Sequence, residues 1–209
     1  MASDTDLLRA WRGGDAKAGS ALFDRHFASV YRFFRTKTEG GIEDLVQETF
    51  LACVRGRDRI EADDRFRAYL FGAARHVLYR HIHHRANREA PLDFSITSLA
   101  DLGPTPSKIV GAQQEQRLLV RGLRRIPIEL QVALELYYFE QMSGPELAAA
   151  LDVPEGTARS RVRRGLERLQ VAVREMESSS ALVDSTLADL PKWSRDVQAL
   201  LAAEASSPR

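Results

Sequence analysis

Apolar positions recur at three- and four-residue spacing along most of the chain, the pattern of helices with one inward stripe and a polar outer face. Asp4 or Thr5 is placed to cap a short first helix ending at Gly13-Gly14, and Asp15 starts a longer one. In that second helix Leu22, Phe23, Phe27, Val30, Tyr31 and Phe34 make an aromatic-rich face directed to a core. Gly40-Gly41 closes the unit. The next helix, Ile42 to Arg55, turns Ile42, Leu45, Val46, Thr49 and Cys53 inward. Asp44, Glu48, Leu51 and Arg55 line its opposite side, with Gln47 beside them. An outward leucine among acids suits a partner contact, and equally a solvated helix with one stray apolar residue.

A charged loop, residues 56–65, leads to a long helix over 66–88 without a single acidic residue. Phe66, Leu70, Ala73 and Val77 face the core, while Tyr69, His76, Arg80 and His83 share another side. The helix also carries Arg67, Arg75, Arg85 and Arg88. Basic groups beside an aromatic suit phosphates together with stacked or unpaired bases. Residues 89–106, broken by Pro91, Gly103, Pro104 and Pro106, read as an extended linker between two helical domains. Beyond it a helix from Ser107 to Arg125 turns Leu119, Leu123 and Ile126 inward. Pro127 opens another, through Leu130, Leu134, Tyr137 and Tyr138.

The stretch from Ser143 to Leu169 predicts a short helix, a tight turn and a longer basic helix. Ser143 and Glu146 are spaced for a capping box, with Met142 and Leu147 as its hydrophobic staple. Asp152-Val153-Pro154 breaks the first helix. In the second, Ala158, Val162, Leu166, Leu169 and Val173 fall in one inward stripe. Thr157, Ser160, Arg163 and Arg164 lie opposite, with Arg159 at the flank. A helix packed on one side, with arginines and small hydroxyls near its N-terminal end, suits the DNA major groove. After Met176 a flexible joint, ESSS, precedes a tail in which Leu187, Leu190, Trp193, Val197, Leu200 and Leu201 suggest an amphipathic helix.

Composition changes this picture little. The 209 residues are 44% hydrophobic and carry a formal net charge of +1, so charge matters by location rather than in total. The single cysteine excludes an internal disulfide. Neither a membrane span nor a signal-peptide pattern is visible, and a cytoplasmic protein is expected. His81, His83 and His84 lack a nearby cysteine or carboxylate to complete a tetrahedral metal set. No Gly-rich phosphate loop or matched nucleophile and base is seen, so no metal, cofactor or catalytic residue is expected. A free-standing helix-turn-helix regulator remains an alternative, with a histidine-metal hydrolase more distant.

The order of acidic-faced helix, basic aromatic helix, linker and helix-turn-helix resembles the extracytoplasmic-function (ECF) group of sigma-70-type RNA polymerase sigma factors, over about residues 4–176. EDLVQETF (43–50) resembles region 2.2, FRAYLFGAARHVLYRHIHHR (66–85) regions 2.3 and 2.4, and GTARSRVRRGLERL (156–169) the region 4.2 recognition helix. The resemblance implies an all-α fold. A region 2 bundle (1–88) and a region 4 helix-turn-helix bundle (107–176) would be joined by the linker 89–106, with a helical extension at 177–209. It implies a non-enzymatic protein that binds core RNA polymerase, through the β′ clamp helices and the β flap, and promoter DNA. Asp44, Gln47, Glu48 and Leu51 would hold the polymerase. Tyr69, Arg75, His76, Arg80 and His83 would serve the −10 element. Thr157, Arg159, Ser160, Arg163 and Arg164 would meet the −35 element. The loop 56–65 would correspond to the one that captures a flipped base. An anti-sigma factor, or the tail docked on the protein itself, is a further expected partner. The chain departs from the family at Tyr69, where tryptophan is usual, and at His76 and Arg80, near which asparagine and aspartate are usual. These positions bear on −10 sequence preference and melting.

Overall fold

A computed structural model describes residues 2–38, 40–60, 65–86, 91–103, 114–177 and 179–188. The first four helices are α1 (Asp4–Arg12), α2 (Ala16–Arg35), α3 (Ile42–Gly56) and α4 (Phe66–Arg85). The second group is α5 (Gln114–Arg125), α6 (Ile128–Leu134), α7 (Gly144–Leu151) and α8 (Glu155–Met176), followed by a short α9 (Ser180–Ala188). The predicted start of a helix at Ser107 and most of the predicted tail helix lie outside the described residues.

Ser3, rather than Asp4 or Thr5, caps α1. Its hydroxyl accepts from the Asp6 N–H at 3.1 Å while the Asp6 carboxylate accepts from the Ser3 N–H at 3.1 Å, a reciprocal capping box. Asp4 instead ties α1 to α2, pairing with Arg25 and with His26 Nε2 at 2.7 Å. The junction of α1 and α2 is tight. A Cβ on Gly19 would stand 2.6 Å from the Trp11 ring, so glycine is required there. Asp15 caps α2 by accepting from the Lys17 and Ala18 N–H groups.

The core face of α2 is centred on Leu22, His26, Val30 and Phe33, with Phe34 also buried. Phe27, predicted to point inward, is 40% exposed and stacks on half-buried Tyr31 at the edge of that face. Packing of α3 and α4 against α2 rotates the buried stripe away from those two rings. The expected inner face of α3 is buried throughout. On α4, Phe66, Leu70 and Val77 are buried as expected, but Ala74 rather than Ala73 completes the stripe.

In the second unit Ser143 and Glu146 form the expected capping box, and Met142 and Leu147 are both buried. Asp152 ends α7 in the left-handed region, with φ 55°. The α8 stripe is buried at Ala158, Val162, Leu169 and Val173, while Leu166 is half-buried and a Cβ on Gly165 would stand 2.9 Å from Leu134. The helix α6 continues into a π-helical turn, Glu135–Phe139, whose first residue bonds to Thr36 and Lys37 of the first unit.

The two units are packed together. Along α4, Gly72 faces the Ala150 carbonyl of α7, and a Cβ there would meet it at 3.5 Å, in ordinary van der Waals contact. Between the end of α2 and α6 lies a buried polar knot. Lys37 Nζ pairs with Glu135 and donates to the Phe33 carbonyl at 2.7 Å. Thr36 Oγ1 and Gln131 Nε2 also donate to the Glu135 carboxylate, at 3.0 and 2.7 Å. Arg124 Nη1 donates back to the Thr36 and Lys37 carbonyls at 3.2 and 3.3 Å. Burial pulls the Lys37 ammonium below the usual lysine range, opposed by Glu135.

The described part of the linker, 91–103, is held rather than loose. Its backbone bonds to α5 and α6 through Ala100 N–H to Arg124 O, Ile128 N–H to Thr97 O and Glu129 N–H to Phe94 O. Phe94 stacks on Tyr79 of α4 with centroids 4.2 Å apart, and Leu99 is buried. This segment therefore touches both units.

Candidate functional site

The outer face of α3 presents Asp44, Gln47, Glu48 and Leu51, all exposed. Leu51 is 44% exposed, and Val54 continues the apolar strip beside Phe50. Three carboxylate or amide side chains around an apolar strip can take a partner helix with basic flanks. Glu48 also forms an ion pair with Arg80 of α4, so residues assigned to two different ligands meet each other. Nothing in the local pattern of either helix signals that pair. Both partners are about half-exposed, and such pairs contribute little to stability.

On α4 the expected DNA residues divide. His76 and Arg80 are exposed, and His83 is half-buried. Tyr69 is half-buried, with its hydroxyl lodged against the end of α3. A Cβ on Gly56 would stand 1.6 Å from that oxygen, so only glycine admits the ring. Burial raises the Tyr69 pKa. Arg75 does not join the others. Its guanidinium lies over the Tyr79 ring, 5.8 Å from the centroid, on the linker side of the helix. Burial lowers the His76 pKa, reinforced by Arg75 and Arg80 and opposed by Asp152 at the end of α7. The second unit thus reaches the edge of this face.

The base of the loop after α3 is clasped from α1, a feature that local sequence patterns do not show. Arg12 donates to the carbonyls of Arg57 and Ile60, and Arg57 donates to the Trp11 carbonyl at 3.2 Å while lying over the Trp11 ring. Residues 61–64 of this loop fall outside the described residues. The contacts join segments some 45 positions apart, beyond the reach of any short-range periodicity.

On α8, Arg159, Arg163 and Arg164 are exposed. Arg159 pairs with Glu155 and Arg163 with Glu167, each at 2.7 Å across one helical turn. Exposed i,i+4 pairs are worth about 0.3–0.5 kcal/mol and are easily exchanged for phosphate contacts. The Arg164 guanidinium has no hydrogen bond or ion pair among the described residues. Thr157 and Ser160 are half-buried, and the Ser160 hydroxyl donates to the Thr157 carbonyl at 2.9 Å.

Among the described residues no group of three His, Cys, Asp or Glu side chains could hold a metal ion, and no helix is long and apolar enough to cross a membrane. Cys53 is buried, and burial pushes its thiol up to about 12, which leaves it protonated and unreactive.

These faces belong to known segments. The family model for sigma-70 region 2 matches residues 22–88, and that for sigma-70 region 4 matches residues 116–169. The RNA polymerase sigma factor CarQ of Myxococcus xanthus is 30% identical over 178 residues, covering 81% of this chain and 97% of that protein. The ECF RNA polymerase sigma-E factor of Escherichia coli K12 is 24% identical over 183 residues, covering 83% of this chain and 96% of its own. A solved structure of CnrH in complex with the cytosolic domain of CnrY shares the fold with a TM-score of 0.61 at 22% identity. It covers 83% of this chain and 99% of that one. The chain belongs to the sigma-70 family of RNA polymerase sigma factors, and within it to the ECF group. It is a promoter-directing subunit of RNA polymerase.

Proposed function

We propose that the α3 face binds the β′ clamp helices of core polymerase through Asp44, Gln47, Glu48 and Leu51. The observation that carries this reading is the exposed Leu51–Val54 strip beside Asp44, Gln47 and Glu48, on the helix of the region 2 match that turns acids outward. Tyr69, His76, Arg80 and His83 on α4 then serve the −10 element, with Arg75 set back against Tyr79 in a supporting place. Thr157, Arg159, Ser160, Arg163 and Arg164 on α8 serve the −35 element, and region 4 also meets the β flap. The loop 56–65 receives the flipped base.

In this scheme region 2 occupies 1–88, the linker 89–106, region 4 107–176 and the extension 177–209. The protein works in the cytoplasm and contributes no catalytic step of its own. The beginning of the extension supports a self-docked tail, since α9 packs on α5 and α8 with Val183 and Thr186 buried. An anti-sigma factor is the other regulator this reading admits.

The test is footprinting of reconstituted holoenzyme on promoter DNA. R159A/R163A should abolish protection at −35 while leaving a −10 fork substrate bound. R80A/H83A should do the reverse. Loss of both footprints in either variant would contradict the division of labour.

A further inference from the structure

A groove separate from all three faces lies between the linker and the C-terminal half of α8. Its linker wall is a small built turn. The Asp93 carboxylate accepts from the Ser95 N–H at 2.9 Å and the Ser95 hydroxyl at 2.6 Å, while the Asp93 carbonyl accepts from the Thr97 N–H at 2.9 Å. This turn lifts Ile96 into solvent, 74% exposed. Because the segment is backbone-bonded to α5 and α6, the wall moves with region 4. The other wall is α8, where Val171 is 51% exposed. Ile126 and Pro127 line the space between, and its volume is about 600 Å³, within the ordinary range of a ligand site.

Two features on this groove call for a partner. Ile96 and Val171 place two large aliphatic side chains in water at the same depression, where isolated ones would need no explanation. Arg125 and Arg168 also line it, and Arg121 and Arg117 continue the charge along successive turns of α5. None of these four side chains forms a hydrogen bond or ion pair among the described residues, a state they share with Arg164 on the outer face of α8. Of the two acids at the groove, Asp101 is engaged by Ser98, which leaves Glu175 beside Arg125 and Arg168. A nucleic-acid backbone would satisfy the arginines and leave Ile96 and Val171 wet. An acidic peptide with apolar side chains satisfies both.

We propose that this groove docks an acidic amphipathic peptide segment of a protein partner. Its apolar side chains seat between Ile96 and Val171, and its carboxylates meet Arg125 and Arg168. Rim charges of this kind steer and orient a partner, while the apolar contact holds it.

Selection of a displayed random-sequence peptide library on the full-length protein tests this. Peptides enriched in both Asp/Glu and Leu/Ile/Phe should be selected. Individual ones should bind R125E/R168E at least about tenfold more weakly, as reversal of two rim charges implies. I96D/V171D should weaken them comparably. All four positions are exposed, so thermal melting should be near that of the unmodified protein. Selected peptides without acidic enrichment, or equal binding to both variants, would overturn the proposal. So would an R125E/R168E protein that loses affinity for random-sequence duplex DNA while holding the peptides, because the groove would then be a nucleic-acid site.

Discussion

Replacing Glu135 by glutamine removes the counter-charge of Lys37 at the place where regions 2 and 4 meet. Lys37 has no side-chain exposure and Glu135 only 3%, so neither charge can recover hydration without the junction opening. Breaking one side of such a pair costs about 3–5 kcal/mol, whereas replacing both partners by apolar residues is often neutral. The knot also holds Thr36, Gln131 and Arg124, so the loss should fall on the docking of the two regions rather than on either core. E135Q should therefore lower the urea midpoint and enlarge the particle seen by small-angle scattering. A compact chain of 209 residues has a radius of gyration of about 17 Å, and the variant should exceed the unmodified protein measured beside it. K37M/E135M should restore both readouts. Unchanged scattering and midpoint in E135Q would refute the view that this pair holds the regions together.

Other consequences follow from single contacts. G56A should force Tyr69 from its place, costing about 1–3 kcal/mol by thermal melting, as overpacking does. S143A removes the α7 capping box and should cost about 0.5–2 kcal/mol. Burial lowers the pKa of His26, His76 and His81 below 6.5. The unfolded chain therefore binds more protons just below pH 6.5, and stability should fall as pH drops from 7 toward 5. H26Q should flatten part of that slope in denaturation measured across the range, and an unchanged slope would contradict the assignment.

Much of this was legible locally. The capping box at Ser143, the Asp15 cap and the buried stripes of α3 and α8 depend on residues within a few positions, and they appear where the spacing puts them. Phe27 escaped because apolar spacing locates a stripe but not the angle at which neighbouring helices cover it. Ser3 takes the α1 cap, with Asp6 three residues on to close the box, while Asp4 pairs with Arg25 and His26 of α2. The Lys37–Glu135 knot, the Arg12 clasp and the docking of 91–103 join distant segments, and no periodicity carries them. The three proposed binding faces could be drawn from the sequence because each sits on one helix. That Glu48 and Arg80 face each other required the packing of α3 on α4.

In the proposed scheme this chain acts by joining core RNA polymerase through α3. Equilibrium binding to bacterial core polymerase, comparing the unmodified protein with D44R/E48R, tests it most directly. Both positions are exposed, so the double variant should melt near the unmodified protein while losing at least about a hundredfold in affinity, two reversed charges within a complementary interface. Equal affinity in a properly folded variant would place the polymerase contact elsewhere and contradict the account.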